Sequence, residues 1–575
     1  MKRLVSIFSL LLLTFVLLAL TACSNDTPAG GVERTPGTRV ELSGSNQVTI
    51  PTLLVTNQLA PAADNKISAL LRERLGVTIT YEIVPISEQS TRIATALAGG
   101  HLPDLVGVTE QEGTLVHGGG LLRLDPFLDS GQWPNLAAHV APYRQRLTWT
   151  DGGVPDGIYQ FPNFNRFYAH TPEQPILGPV HWGSGFFIQK SVLEWHGFPD
   201  TSNMDLDRYF QLIYDYARAH PTIDGMPTIG FTFPAFPGRT WGMTNPPLFL
   251  AGHPNNGGVF VFDDHSSTTI RAEIYAISDY ARRYFEILNY WYLRGLIDPE
   301  AWTQTEDEYM AKLATGRVLG MHDQRWGFSN AYDALVAEGR YNRTWVPTEP
   351  TMDGHSPWYA DRDVMNINQG FGISSTAQNP ELILTFLDTM LSPEWQIILS
   401  WGIEGEDFFV DANGVFYRND EQRANANDLT WRTHNRLEAF FDVMPKMQGG
   451  FPCGNAFSAG DQPGEFLIGL SGYNRFFLES YNKGSWRQFV QAPPSNPVYY
   501  PAWQISPPHG SVAQVAGQQL EDAAVEFLPR TISAPAGQFA ARWQEYVDRV
   551  NMIDVAAFEA SITEGLQERM REAGY

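Results

Sequence analysis

The side chains able to do chemistry are present, but not in arrangements that specify a reaction. The 13 histidines include no H-E-x-x-H pair, and two cysteines cannot build a zinc-ligand set. No G-x-x-x-x-G-K-[ST] loop is available to cradle phosphates. Gly183-Ser184-Gly185 satisfies neither G-x-G-x-x-G nor G-x-S-x-G. The carboxylate pairs Asp205/Asp207 and Asp361/Asp363 could serve bond hydrolysis, whose two acids are close in space but often distant in sequence. The first pair opens a helix, however, where acids complement the dipole. The reading is therefore no catalytic residue, no cofactor and no metal, with a surface hydrolase kept as the alternative.

Aromatic chemistry is what the chain has in excess: 16 Trp, 23 Tyr and 34 Phe, 13% of all residues. Most must fill cores. A Trp or Tyr ring also offers an apolar plate with a hydrogen-bonding edge. Loop tryptophans beside glycine, such as Trp182 before Gly183 and Trp241 in Gly238-Arg-Thr-Trp-Gly242, are candidates for such a plate. Trp195, Trp291 and Trp395 fall on predicted helices and are left with the core.

The elements that must position these residues alternate. Val48 to Val55 reads as a strand. A helix follows, capped by Asp64, with Ile67, Leu70, Leu71 and Leu75 at helical spacing and Gly76 at its end. Val77 to Val84 is a β-branched strand, Thr91 to Ala98 a helix, and Leu105 to Val108 another strand. This β-α-β-α-β order predicts an α/β fold with a mostly parallel sheet. Further helices are expected at Leu206–Ala219, at Ile274–Arg294, and after Asn379-Pro380-Glu381. At 575 residues the chain exceeds one ordinary core, so two or more lobes are required. A formal net charge of −24 repels phosphate backbones and argues against nucleic acid as a partner.

The N-terminus carries Lys2 and Arg3, then an apolar run from Leu4 to Leu20, close to the shortest bilayer span of roughly 17 residues. It reads as a signal peptide over 1–22. Leu20-Thr21-Ala22-Cys23 resembles the bacterial lipobox, which implies cleavage before Cys23, lipidation of that residue, and an extracytoplasmic body anchored to the membrane. Cys453 is then left without a partner, so no disulfide framework is expected. Residues 23–45, rich in Gly, Pro, Ser and Thr, read as a flexible tether.

Several motifs occur together. Thr95-Ala-Leu-Ala-Gly-Gly-His-Leu-Pro-Asp-Leu105, Phe186 to Phe198, Leu293 to Ala301 (LRGLIDPEA), Lys312 to Met321 (KLATGRVLGM) and Ile373 to Phe409 resemble, in order, elements of the bacterial extracellular solute-binding proteins of the sugar-binding class. The resemblance implies a two-lobed α/β fold that closes on ligand like a clamp, without chemistry. It implies an oligosaccharide ligand, delivery to the permease of an ABC transporter, and a monomer. A peptide or another polar solute is the alternative within binding proteins. Residues 46–183 with 313–368 are expected to build the first lobe, and 184–312 with 369–575 the second. Large relatives carry a calcium loop after the helix matching Leu206–Ala219; here His220 to Gly225 has one carboxylate, and no such site is expected. Asp411-Ala-Asn-Gly414 reads as a hairpin turn. Ligand should lie in the crevice at the carboxyl ends of the strands. Aromatic plates there would stack on sugar faces while polar groups take the hydroxyls. The candidate residues are Asn57, Trp182, Trp241, Asp323, Arg325, Trp326, Trp358, Tyr359, Trp401 and Glu404.

Overall fold

The structure is a computed structural model that describes residues 34–109, 111–150, 154–163, 170–171, 174–175, 178–263, 266–360, 369–446, 450–451, 453–492 and 502–572. The signal peptide, Cys23 and the Asp361/Asp363 pair lie outside the described residues. Cys453 is exposed and free.

The first lobe is built as the alternating pattern requires. Strand β1, Val48–Val55, lies between β2, Val77–Val84, and β3, Leu105–Thr109, all parallel, and β4, Phe161–Pro162, closes the far edge. Helix α1, Lys66–Leu75, and helix α2, Gln89–Gly99, make the crossovers; both end on glycines in the left-handed region, Gly76 and Gly100. The cap of α1 is Asn65 rather than Asp64. Asn65 Oδ1 accepts from the Ser68 N–H at 2.9 Å, while its amide donates to the Thr433 and Arg436 carbonyls at 2.7 and 2.8 Å. An amide both accepts and donates, so it can cap a helix and tie down a distant loop; a carboxylate could do only the first.

The chain then crosses into a second sheet. Strand β5, Ser184–Gln189, is buried throughout. Helix α3, Leu206–Ala219, follows as predicted, capped by Asp205. Strand β6, Ile229–Thr232, is next. The helix expected from Ile274 starts later, as α4, Asp279–Tyr292, because Ser278 caps it and Ile274 instead ends a strand paired with Val259–Phe262. Helix α5, Glu306–Ala314, opens with a Thr305/Glu308 capping box. Strand β7, Val318–Gln324, helix α6, Ser329–Ala337, and strand β8, Trp345–Thr348, complete a sheet of order β6-β7-β5-β8. Gly320 lets α3 lie directly on β7: a Cβ there would stand 2.4 Å from Ile213 Cδ1 and 2.7 Å from the Tyr209 hydroxyl.

Strand β9, Gln369–Ile373, returns to the first sheet, antiparallel to β3 and β4. This corrects the expected lobe division. Residues from Val318 to Thr348 belong with the second sheet, because β7 and β8 take both edges of β5 and satisfy its backbone. Conversely, helices α7, Pro380–Met390, and α8, Pro393–Ser400, and further on α9, Leu429–Asn435, and α10, Glu438–Val443, lie with the first lobe. Phe386, Trp395 and Phe440 pack in one core with Leu54, Phe161 and Phe371. Helix Gly472–Ser480 with the segment to Val490, and the C-terminal helices α11, Val512–Ile532, α12, Phe539–Val550, and α13, Val555–Glu572, join the second lobe, where Phe477, Leu528 and Trp543 pack in one core with Tyr284 and Phe285.

The tether is also shorter than expected. Arg34 donates to the Ala377 and Ser375 carbonyls, both at 2.7 Å, and Arg39 pairs with the buried Asp388 at 2.8 Å. Residues 34–45 are thus fastened to the first lobe. The two turns that bear on calcium are both hairpins. Asp224 and Gly225 join a short antiparallel pair, and Asp411 Oδ1 accepts from the Asn413 and Val415 N–H groups.

Two outcomes are expected. Gly320→Ala forces Ile213 and Tyr209 off β7 and lowers unfolding stability by about 1–3 kcal/mol in urea titration. Glu349, just past β8, is 6% exposed and accepts from the Gln491 N–H at 2.8 Å. Burial pushes its carboxyl up to about 7. The folded state therefore holds this proton where the unfolded chain has released it, so stability falls as pH rises from the ordinary carboxyl range to about 7. Glu349→Gln removes that loss, and its melting temperature should overtake wild type above pH 7 while matching it near pH 4.

Candidate ligand-binding site

Four segments converge between the lobes, each just beyond the carboxyl end of a strand: Thr56–Gln58 after β1, Ile86 after β2, the 233–241 loop after β6, and Arg325–Phe328 after β7. At their centre is a fully buried ion pair. The Arg239 guanidinium donates through Nη2 to Asp323 Oδ1, and through Nη1 to the Gly327 carbonyl at 3.3 Å. The Tyr309 hydroxyl donates to Asp323 Oδ2 at 2.7 Å, and the Gln324 N–H to Oδ1 at 2.7 Å. Each Asp323 oxygen has a partner and the side chain is fully buried, so it is closed to ligand hydroxyls.

What the pair supports is aromatic. The Arg239 guanidinium carbon lies 5.2 Å from the Trp241 ring centroid and 4.9 Å from that of Trp326. The two rings are 6.0 Å apart at 46°. Cation–π contact of this kind is worth about 0.5–2 kcal/mol per ring when desolvated. The Trp326 indole N–H is fixed by Gln324 Oε1, and the Gln324 amide by Ser184 Oγ at 3.1 Å. Trp326 nevertheless stays 40% exposed, so its orientation is set from beneath while a face stays open.

Asn57 ties this cluster to the first lobe. Its amide donates to Glu306 Oε1, its Oδ1 accepts from the Ile86 N–H at 3.4 Å, and its carbonyl accepts from Asn330 at 3.4 Å. Glu306 Oε1 also stands 3.7 Å from Arg239. Its Oε2 is buried without a partner, and burial outweighs the Arg239 charge to hold the carboxyl above its usual range. Arg432, on α9, meets Asp333, on α6, at 3.2 Å across the same boundary. The lobes are in contact at this cleft.

The remaining expected residues divide. Trp182 is 46% exposed and lies 5.5 Å from the buried Arg325 guanidinium, next in sequence to Trp326. Trp358 is half-buried, with an enclosed indole N–H. Tyr359 and Trp401 are corrections. Tyr359 is fully buried, stacks on Phe249 at 5.0 Å and donates to the Pro350 carbonyl. Trp401 is fully buried among Phe408, Phe416, Phe451 and Phe457, and donates to the Ala456 carbonyl at 3.0 Å. Neither can present a ring to a ligand. Glu404 is exposed in the turn after α8, where it bridges to Phe408, beside the Trp401 cluster. Arg239, Glu306, Tyr309, Asn330 and Arg432 were not anticipated. Arg239 stood between Gly238 and Trp241 in a loop already singled out; the others carry no local signal. Among the described residues no three His, Cys, Asp or Glu side chains come together as a metal site.

Comparison with known proteins agrees with this architecture. The family described as "Bacterial extracellular solute-binding protein" matches residues 57–397, and the chain belongs to that family. No match is found among curated protein sequences. Solved structures of the same two-lobed fold include an HMO-binding, ABC-transporter-associated solute-binding protein from Bifidobacterium longum infantis. It has a TM-score of 0.59 and 15% identity, with 91% of this chain and 99% of that one covered. The S. pneumoniae ABC-transporter substrate-binding protein FusA in complex with kestose has a TM-score of 0.62 at 14% identity, covering 92% and 100%. Alginate-binding protein AlgQ2 without calcium ion has a TM-score of 0.61 at 13% identity, covering 93% and 100%. The chain is therefore an extracellular solute-binding protein by family and two-lobed by fold.

Breaking the central pair should be costly. Asp323→Asn leaves the buried Arg239 with only the longer Glu306 contact at 3.7 Å, with an expected loss of about 3–5 kcal/mol in denaturant unfolding. Fluorescence of the Trp241–Trp326 pair should shift as well; unchanged stability would show that Arg239 finds another counter-charge.

Proposed function

We propose that this chain captures an oligosaccharide in the cleft between its lobes and delivers it, unaltered, to the permease of an ABC importer. On this reading it works outside the cytoplasm as a monomer, held to the membrane by a lipid on Cys23. The observation that carries the proposal is the tryptophan pair over Arg239, open to the cleft and fixed from below. Sugars present flat C–H faces ringed by hydroxyls, and an immobile indole plate matches such a face at little entropic cost. Asn57, Glu306 and Asn330, beside the plate, supply donors and acceptors for hydroxyls. The ligands of the neighbours, HMO in one and kestose in another, support the same class.

The test is a thermal-shift screen with neutral oligosaccharides, peptides and simple polar solutes, followed by calorimetry on any hit. A ligand that binds only the native state must raise the melting temperature. An oligosaccharide hit is expected, together with compaction in small-angle scattering as the lobes close on it. Trp326→Ala should weaken that binding about tenfold, or about 1.4 kcal/mol. A response to peptides alone would overturn the carbohydrate assignment. Shortened sugar products after incubation would replace binding by hydrolysis.

A further inference from the structure

The first lobe brings more to the cleft than Asn57. Thr56 after β1, Gln369 opposite Thr109 at the end of β3, and Asn163 after β4 all stand at the carboxyl edge of its sheet. Asp442, near the end of α10, joins them there. Thr56 Oγ1 donates to Asp442 Oδ2 at 2.6 Å and accepts from the Gln58 N–H at 3.1 Å. The Asn163 amide donates to Gln369 Oε1 at 3.0 Å and to the Asp442 carbonyl at 3.2 Å. Asp442 is thus held by both its carboxylate and its backbone. Thr56 and Asn163 are buried, whereas Asp442 is exposed and its Oδ1 accepts from no described residue.

Its neighbours fix the direction in which it looks. Glu438 lies one helical turn earlier on α10, and residues four apart share a face. Glu438 meets Arg432 at 3.4 Å, and Arg432 reaches Asp333 of the second lobe. Thr56 immediately precedes Asn57, whose amide meets Glu306 beside Arg239 and the tryptophan pair. Asp442 therefore lies on the boundary face, next to the residues that join the lobes.

The exposed charge on that boundary has one sign. Asp307, beside Glu306 in the first turn of α5, is exposed as well. The cations nearby are sunk or engaged. Arg239 is fully buried against Asp323, and Arg325 is 9% exposed with its guanidinium 3.9 Å from the Tyr332 ring. Arg432 is shared by Asp333 and Glu438. Lys446, also 9% exposed, donates to the Phe441 and Asp442 carbonyls, both at 2.7 Å.

A carboxylate oxygen without a protein partner is a strong acceptor for a hydroxyl, and it repels a second carboxylate. Building on the carbohydrate reading above, we propose that Asp442 takes hydroxyls of the bound saccharide from the side of the first lobe and selects a neutral sugar against a uronate.

The experiment is calorimetry on the full chain with neutral tri- to pentasaccharides of glucose, galactose, mannose and fructose, and with galacturonate oligomers of the same lengths. The wild type should bind a neutral member and no galacturonate oligomer. Asp442→Asn, which can still accept from Thr56, should weaken the neutral sugar about tenfold, the scale of exchanging a charged acceptor for a neutral one. Asp442→Lys should lose the neutral sugar and gain affinity for galacturonate that falls with salt. A purely structural role for Asp442 would not move that selectivity. A neutral sugar bound equally by wild type and Asp442→Asn would remove Asp442 from the site and leave the carbohydrate reading standing. Galacturonate bound by the wild type as tightly as the neutral oligomer would do the same for the charge selection. No saccharide bound at all would overturn the carbohydrate reading and this assignment together.

Discussion

The buried pairing of Arg239 with Asp323 is the constraint on which the cleft depends. A guanidinium and a carboxylate lose several kcal/mol each on leaving water, and replacing such a pair by apolar residues is often neutral or stabilising. Stability alone therefore does not account for it. What an apolar pair could not do is hold two indoles by their faces. Arg239 lies beneath both Trp241 and Trp326, and Tyr309 and the Gln324 backbone fix Asp323 in turn. The chain of contacts runs from β7 and α5 outward to an exposed ring.

That arrangement is possible because of how the chain crosses between lobes. Strands β5, β7 and β8 form one sheet, and only β9 returns to the other. The residues immediately after β7 are therefore at the boundary, while the strand itself is buried on every side but its last residue. The loop after β6 reaches the same place because β6 runs parallel to β7 and its last residue, Thr232, lies opposite Met321, from which the loop follows the rest of β7. Asn57 and Ile86 arrive from the first sheet by the same rule, each just past a carboxyl end.

Much of this was legible in the sequence, for identifiable reasons. The strands of the first lobe are bounded by helices with glycine stops, and helix Leu206–Ala219 carries clear periodicity between Asp205 and His220-Pro221, so they fall where expected. Tryptophans next to glycine divided according to what covered them. Trp241, Trp326 and Trp401 each have an arginine near the ring, but four phenylalanines close around Trp401 while Trp241 and Trp326 stay partly open. No local pattern distinguishes those cases, because the partners are distant in sequence. The lobe division failed for the same reason: a strand such as Val318–Gln324 reads alike whichever sheet it joins. Asn65 displaced Asp64 as the cap because of carbonyls at Thr433 and Arg436, in a region that offered no motif.

Contact between the lobes also bears on how a ligand would be held. Asn57 and Glu306 satisfy one another across the cleft, yet Glu306 Oε2 is enclosed with nothing to accept from. A buried acceptor left unmade costs about 1–3 kcal/mol, more when charged. Burial accordingly holds the Glu306 carboxyl toward its protonated form. A hydroxyl donated to that oxygen would remove the cost and favour the ionised carboxylate, which accepts more strongly. On the proposed reading the same residue would join the lobes through Oε1 and accept from a polar solute through Oε2. Closure and recognition would then be coupled at one side chain, and a ligand without a hydroxyl at that point would meet lobes that touch but hold it poorly.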